Sequence, residues 1–124
     1  MALPSSAAAV AVLAMAALAS SPGAAADAAR GAGLYQGRCG GCHSVAANRI
    51  GPRHAGVVGR KAGALTDFAY SPALKSAGFV WTAERLDQWL QGPGKLVPGT
   101  RMFFTVKEPA DRADIIAYLQ SVSP

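Results

Sequence analysis

The chain has 124 residues, a length that sets a soft prior of one domain, and its 12 Lys and Arg outweigh its 7 Asp and Glu for a net charge of +5. A positive balance points to acidic partners, whether protein docking patches, anionic lipid or nucleic acid. Nucleic acid is discounted because no basic platform interleaved with aromatic residues accompanies the charge, and a plainly solvated basic surface is the bland alternative.

The first 26 residues carry no charged side chain. The apolar run from Ala7 to Ala19 has the length of a secretory signal's apolar region and is too short for a comfortable membrane span. Ala24-Ala25-Ala26 offers small residues for cleavage just before Asp27. No Lys or Arg precedes the run, so only the amino terminus supplies positive charge there; an uncleaved tether is the alternative. The expectation is a signal peptide over residues 1–26, no stable membrane insertion once it is removed, and a mature domain over 27–124 that keeps the whole +5. Domains this small bury a low fraction of their surface and lean on a disulfide, a metal or a cofactor.

No internal repeat is visible, and the mature part reads as short helices separated by Gly and Pro. From about Asp27 to Arg38, Ala28, Ala32 and Tyr35 fall at helical spacing, with Gly31 and Gly33 tolerated where something approaches closely. Residues 44–68 have almost no period and contain Gly51, Pro52, Gly56, Gly59 and Gly63, a long loop of the kind that wraps something functional. Ser71-Pro72 opens a short helix that Gly78 closes. Thr82 caps the next, with Glu84 in its positive first turn and Leu86, Trp89 and Leu90 as its buried stripe; Gly92-Pro93-Gly94 ends it. A second loop, KLVPGTRMFF, precedes a last helix from about Pro109 to Ser121, with Asp111 and Asp114 early and Ile115, Ile116 and Leu119 apolar. No strand pair with a hairpin signal appears, so the class is all-α.

Both cysteines of the chain fall in Cys39-Gly40-Gly41-Cys42-His43. Four chemistries compete for that pentapeptide. A disulfide across so small a loop removes little unfolded-state entropy. Thiol–disulfide exchange calls for a preceding strand and a βαβ frame. Structural zinc needs four N or S ligands at C-x-x-C and H-x(3–5)-H spacing, and His43 and His54 are eleven residues apart. The fourth is c-type haem attachment through C-x-x-C-H. Residues three and four apart share one helix face, so both thiols reach one edge of a porphyrin while His43 ligates iron from the adjacent side. Gly40 and Gly41 would remove side chains where the backbone nears the ring, and export across the membrane suits covalent haem attachment. The spacing favours this reading.

If His43 holds one face of an iron, a His or Met must hold the other. Met1 and Met15 lie in the signal, which leaves Met102 and His54. Methionine is usually a core filler, but Met102 sits in a Gly/Pro loop away from any amphipathic stripe, and the ligand reading wins. His54 reads better as an exposed or locally hydrogen-bonded histidine. A thioether favours ferrous iron and raises the reduction potential. Filling both axial positions blocks O2 and peroxide, which describes an electron carrier.

The segments CGGCH, GPRHAGVVGRKAG, YSPALKSAGFVW, LDQWLQGPGKLVPGTRM and DRADIIAYLQ, in that order, resemble the class I cytochromes c, especially the soluble bacterial ones close to the mitochondrial type. The resemblance covers nearly all of 27–124. It implies the cytochrome c fold, short helices and long loops wrapped around one covalently attached haem c per chain, with the N- and C-terminal helices crossing. It implies thioethers from Cys39 and Cys42, axial ligation by His43 and Met102, and a Pro52 carbonyl accepting the His43 Nδ1–H. Arg60, Tyr70 and Trp81 would bond the buried propionates, which need donors or a cation, and Thr100 could donate to one; Trp81 is equally compatible with plain core packing. Trp89 would stand near the methionine sulfur, Phe104 would cover the haem edge, and Gly31 and Tyr35 would pack against Ile115 and Tyr118. Two departures stand out. His54 replaces the leucine of the family's G-P-x-L-x-G, which by resemblance puts an imidazole near the His43 side of the haem, where it could tune the potential with pH or simply point outward. Leu74 replaces an asparagine common in mitochondrial proteins and suggests a drier pocket.

The function expected is a periplasmic, monomeric one-electron carrier rather than an enzyme, with peroxidase-like activity only if Met102 is displaced. By resemblance its partners are acidic faces of a cytochrome bc complex, a terminal oxidase or a periplasmic dehydrogenase. Arg38, Lys95, Arg101 and Lys107 are expected to form a positive rim that speeds association and is screened by salt. The rival from another class is a ligand-binding or peroxidatic haem in which Met102 is labile, and a structural zinc module comes third.

Overall fold

The structure is a computed structural model that describes residues 1–14 and 25–124. Residues 1–14 carry no regular secondary structure, and the expected apolar run with its cleavage alanines extends into residues outside the described ones. Five helices follow among the described residues: α1 (Ala28–Arg38), α2 (Pro72–Lys75), α3 (Ala83–Gln91), α4 (Pro93–Leu96) and α5 (Pro109–Ser121). There is no strand among the described residues, only an isolated antiparallel bridge between Lys61 and Val80. None of these helices is long and apolar enough to cross a membrane.

The frame is the crossing of α1 on α5. Asp27 caps α1 by accepting from the Arg30 N–H at 3.0 Å, satisfying one of the donors a helix start leaves unpaired. Gly31 sits at the crossing because a Cβ there would fall 1.9 Å from the Asp114 carbonyl oxygen. One turn on, Tyr35 lays its ring 5.1 Å from that of Tyr118. A charge cluster that the sequence did not announce ties the same helices. Arg30 bonds Asp111 at 2.7 Å and Asp114 at 2.8 Å, and Arg38 bonds Asp111 at 2.9 Å. Arg38, expected on the docking rim, is thus ion-paired to Asp111 while its side chain stays 39% exposed.

α3 lies beside this pair. Thr82 accepts from the Arg85 N–H, and Leu86, Trp89 and Leu90 are buried at the three- and four-residue spacing of one helix face. They meet Trp81, Val106, Ile115 and Leu119 in one core. Arg112 fastens its edge, its Nε donating to Asp87 at 2.7 Å and its Nη1 to the carbonyls of Val106 and Lys107 at 3.0 and 2.8 Å.

Two helix ends differ from the sequence expectation. α2 begins at Pro72 with Ser71 as its cap but stops at Lys75, where the Ser76 N–H closes on the Pro72 carbonyl at 3.1 Å. Gly78, at φ +79°, serves instead to turn the chain into Phe79–Trp81. Gly92 does end α3, but Pro93 opens α4 immediately, since proline's missing N–H costs nothing in a first turn. Lys95 and Leu96 are therefore helical, where a loop was expected.

Candidate functional site

The attachment segment leaves α1 through a series of turns. Regular helix stops at Arg38, yet the Cys39 carbonyl still accepts from the Cys42 and His43 N–H groups at 3.1 and 2.8 Å. That helix-like turn sets both thiols and the imidazole on neighbouring directions. Cys39 is half-buried and Cys42 exposed, and neither is in a disulfide. Burial pushes the Cys39 thiol up to about 11, against a lowering by Arg38. Gly40 is needed for this path, since a Cβ would fall 2.6 Å from the Gln36 carbonyl oxygen; a Cβ at Gly41 would meet open space. Gly40 thus has a backbone reason of its own, beside the one expected for both glycines.

His43 is held on several sides. Its Nδ1–H donates to the Pro52 carbonyl at 3.0 Å. A carbonyl can only accept, so Nδ1 carries the proton and Nε2 keeps a free lone pair. Burial lowers the His43 pKa, the Pro52 bond opposing and Arg49 adding to the shift, so the ring is neutral at pH 7. Gly51 supplies the room: a Cβ there would lie 2.1 Å from His43 Cε1. Arg49, which no sequence pattern singled out, donates to the carbonyls of Gly40, His43 and Gly41 at 2.5, 3.3 and 3.4 Å.

His54 does not point outward. Its ring stacks on that of His43 with centroids 4.1 Å apart and planes 20° apart, and its Nδ1 is hydrogen-bonded to Tyr35 Oη at 2.9 Å. Burial first, then His43 and Arg60, push its pKa down to about 3. On that value the ring is neutral near pH 7.

Of the residues expected near propionates, Arg60 and Trp81 share a short ladder. Gly59 N–H donates to the Trp81 carbonyl and Trp81 N–H to the Arg60 carbonyl, both at 2.8 Å, and Ala62 N–H to Phe79 at 2.8 Å. Arg60 turns its guanidinium to the carbonyls of Arg53 and Ala55, at 2.9 and 2.5 Å, and burial lowers its pKa. Tyr70 Oη accepts from the Leu65 N–H at 3.3 Å. Trp81 is buried edge-to-face between Phe79 and Trp89, with centroids at 4.9 and 5.2 Å, so Trp89 packs on an indole.

Met102 comes from the segment after α4. Val97 and Thr100 are buried, and Gly99, at φ +91°, makes the turn between them. Thr100 Oγ1 accepts from the Met102 N–H at 3.4 Å. Met102 is half-buried against the core, while Phe103 and Phe104 are 80% and 44% exposed.

Two thiols and a neutral imidazole with its Nε2 lone pair free, cleared of side chains by Gly51, form a donor set that fits a covalently bound haem. In an all-α frame this is the class of c-type haem proteins. The cytochrome c sequence profile matches residues 28–123, and the chain belongs to the cytochrome c family. Cytochrome c of Euglena viridis is 46% identical over 99 residues, 77% of this chain and 97% of the relative. That of Cochliobolus lunatus is 41% identical over 98 residues, 76% of this chain and 91% of the relative. Cytochrome cH from Methylobacterium extorquens superposes with a TM-score of 0.73 at 44% identity, covering 77% of this chain and 98% of that one. Family members carry covalently attached haem c and transfer electrons to and from other proteins; they are not enzymes. Cys39-Gly40-Gly41-Cys42-His43 fits the attachment motif.

Proposed function

We propose that the chain is a periplasmic one-electron carrier, running between a reductase complex or dehydrogenase and a terminal oxidase or other acceptor. Residues 1–26 serve as the export signal and 27–124 as the haem domain. Cys39 and Cys42 hold the haem through thioethers, and His43 and Met102 are its axial ligands. Arg60, Tyr70, Trp81 and Thr100 serve the propionates, and Phe104 covers the haem edge. When bound, the haem supplies the Fe(III)/Fe(II) couple. The protein's own part is to present a neutral imidazole in one tautomer, to keep Met102 half-buried against the core, and to offer a basic docking face.

The observation that carries this reading is the His43 Nδ1–H···Pro52 hydrogen bond with Gly51 against the ring, because it readies Nε2 for metal at the last position of a C-x-x-C-H turn. The test is the absorption spectrum of protein matured in a periplasm, oxidised, reduced and then exposed to carbon monoxide. A low-spin spectrum with the weak far-red methionine–iron band and no carbon monoxide shift is expected. A high-spin ferric form, or rapid carbon monoxide binding, would replace the carrier with a ligand-binding haem.

A further inference from the structure

We propose that His54, anchored by Tyr35, is a positioning residue that fixes the rotation of the His43 imidazole. The proposal rests on His43 being the ligand of a covalently attached haem.

The Pro52 hydrogen bond sets the His43 tautomer, but one hydrogen bond leaves a ring free to twist about the N–H···O direction. The flat face of His54, 4.1 Å away and within 20° of parallel, opposes that twist. His54 is itself held at both ends. Its backbone N–H donates to the Ser44 carbonyl at 3.0 Å, and its Nδ1 is bonded to Tyr35 Oη at 2.9 Å. Tyr35 is 4% exposed and wedged in the α1–α5 crossing against Tyr118. A continuous series of contacts thus runs from the helix crossing through Tyr35 and His54 to the face of His43. A leucine in place of His54 would fill space there without offering a flat face or an acceptor for the buried phenol.

The plane of an axial imidazole determines which iron d orbitals share its π density, and so how unpaired spin is spread over the haem in the ferric state. Outer contacts of a ligating histidine set that plane. The orientation can therefore be read without any assay of electron transfer.

The experiment is proton NMR of the haem-methyl signals in ferric wild type, His54→Phe, His54→Leu and Tyr35→Phe, all matured in a periplasm. His54→Phe keeps a flat face but gives up the Tyr35 bond, and is expected to move the methyl shifts no further than Tyr35→Phe does. His54→Leu is expected to change their order and spread, and Tyr35→Phe to move them in the same sense by less. An unchanged pattern in His54→Leu, or a His54→Phe pattern displaced as far as that of Leu, overturns the proposal. Should His54→Leu fail to mature, Tyr35→Phe decides, and an unmoved pattern there overturns it as well. Haem stain on a denatured gel and a low-spin wild-type spectrum report the ligand reading separately. A wild type lacking either sinks that reading with the proposal, whereas a normal wild type beside an unmoved His54→Leu sinks the proposal alone.

Discussion

From Cys39 to Ala55 the backbone is tied at nearly every turn. Arg49 collects three carbonyls, the Gly51 N–H bonds the Cys42 carbonyl at 2.9 Å, and His54 and Ala55 bond Ser44 and Val45. The segment carrying Met102 is held by much less. Thr100 bonds the Val97 carbonyl at 3.1 Å and receives the Met102 N–H at a long 3.4 Å, after which Phe103 and Phe104 stand in solvent. A segment with few buried contacts opens at lower free energy than a densely bonded one. The histidine half is a preset cradle, and the methionine half is where ligation is expected to yield first.

The largest effect expected is that of Gly51→Ala. Its methyl group would have to occupy a point 2.1 Å from His43 Cε1, and both the backbone and the imidazole there are already bonded. Overpacking typically costs about 1–3 kcal/mol, and so close an approach between bonded groups puts this case at the upper end. Yield of holoprotein on a haem-stained gel should collapse. A wild-type yield would mean that the histidine half is far more pliant than its hydrogen bonds indicate.

Met102→Ala should act the other way round. Haem remains attached and the fold survives, with a loss of about 1–2 kcal/mol because the side chain is only half-buried. The far-red band disappears and carbon monoxide binds the reduced protein quickly. If Met102→Ala melts as low as Gly51→Ala, the contrast between the halves is wrong.

Elements whose cause is local were legible in the sequence. Ser71 and Thr82 cap the helices they were expected to cap, the Leu86, Trp89 and Leu90 stripe is buried, and α5 spans Pro109–Ser121. α4 was missed because Gly-Pro-Gly stops one helix and starts another with the same residues. Arg49 was missed, and the ion pair of Arg38 and the stacking of His54 were not foreseen, for a different reason. Their partners, Asp111, three backbone carbonyls, and the His43 ring with Tyr35, are chosen by the folded chain, and no spacing rule announces them.

The histidine half has one more anchor, with a pH signature. Arg38 directly precedes Cys39 and bonds Asp111, which Arg30 also bonds. Hydrogen bonds from Arg30 first, and also from Arg38, hold the Asp111 carboxyl below the usual carboxylate range; the Asp27 N–H and Arg30 do the same for Asp114. A depressed folded pKa means that the unfolded chain takes up protons first. The stabilisation is complete above the ordinary carboxylate pKa of about 4 and fades as pH falls below it. Thermal melts of wild type and Asp111→Asn should therefore differ at pH 7 and draw together as pH falls through the depressed folded pKa. A gap that persists at low pH would mean that the cluster acts through packing and not through charge.

The smallest effect is on docking, and it follows from where the cations are already engaged. On the histidine half Arg30, Arg38, Arg49, Arg53 and Arg60 each spend their guanidinium on a carboxylate or a carbonyl. No ion pair among the described residues engages Lys95, Arg101 or Lys107, which are exposed around the Met102 segment beside Phe103 and Phe104. An acidic partner gains less from a cation already paired with a carboxylate, as Arg30, Arg38 and Arg53 are, so attraction should be aimed at the methionine half. Replacing Lys95, Arg101 and Lys107 together by Glu should slow association with an acidic redox partner by about tenfold at low ionic strength and flatten its salt dependence. The exposed Lys61 and Lys75 are the controls, and Lys61→Glu with Lys75→Glu should change the rate far less. Equal slowing in both variants would show that net charge alone steers the encounter and that the loosely held half is not its face.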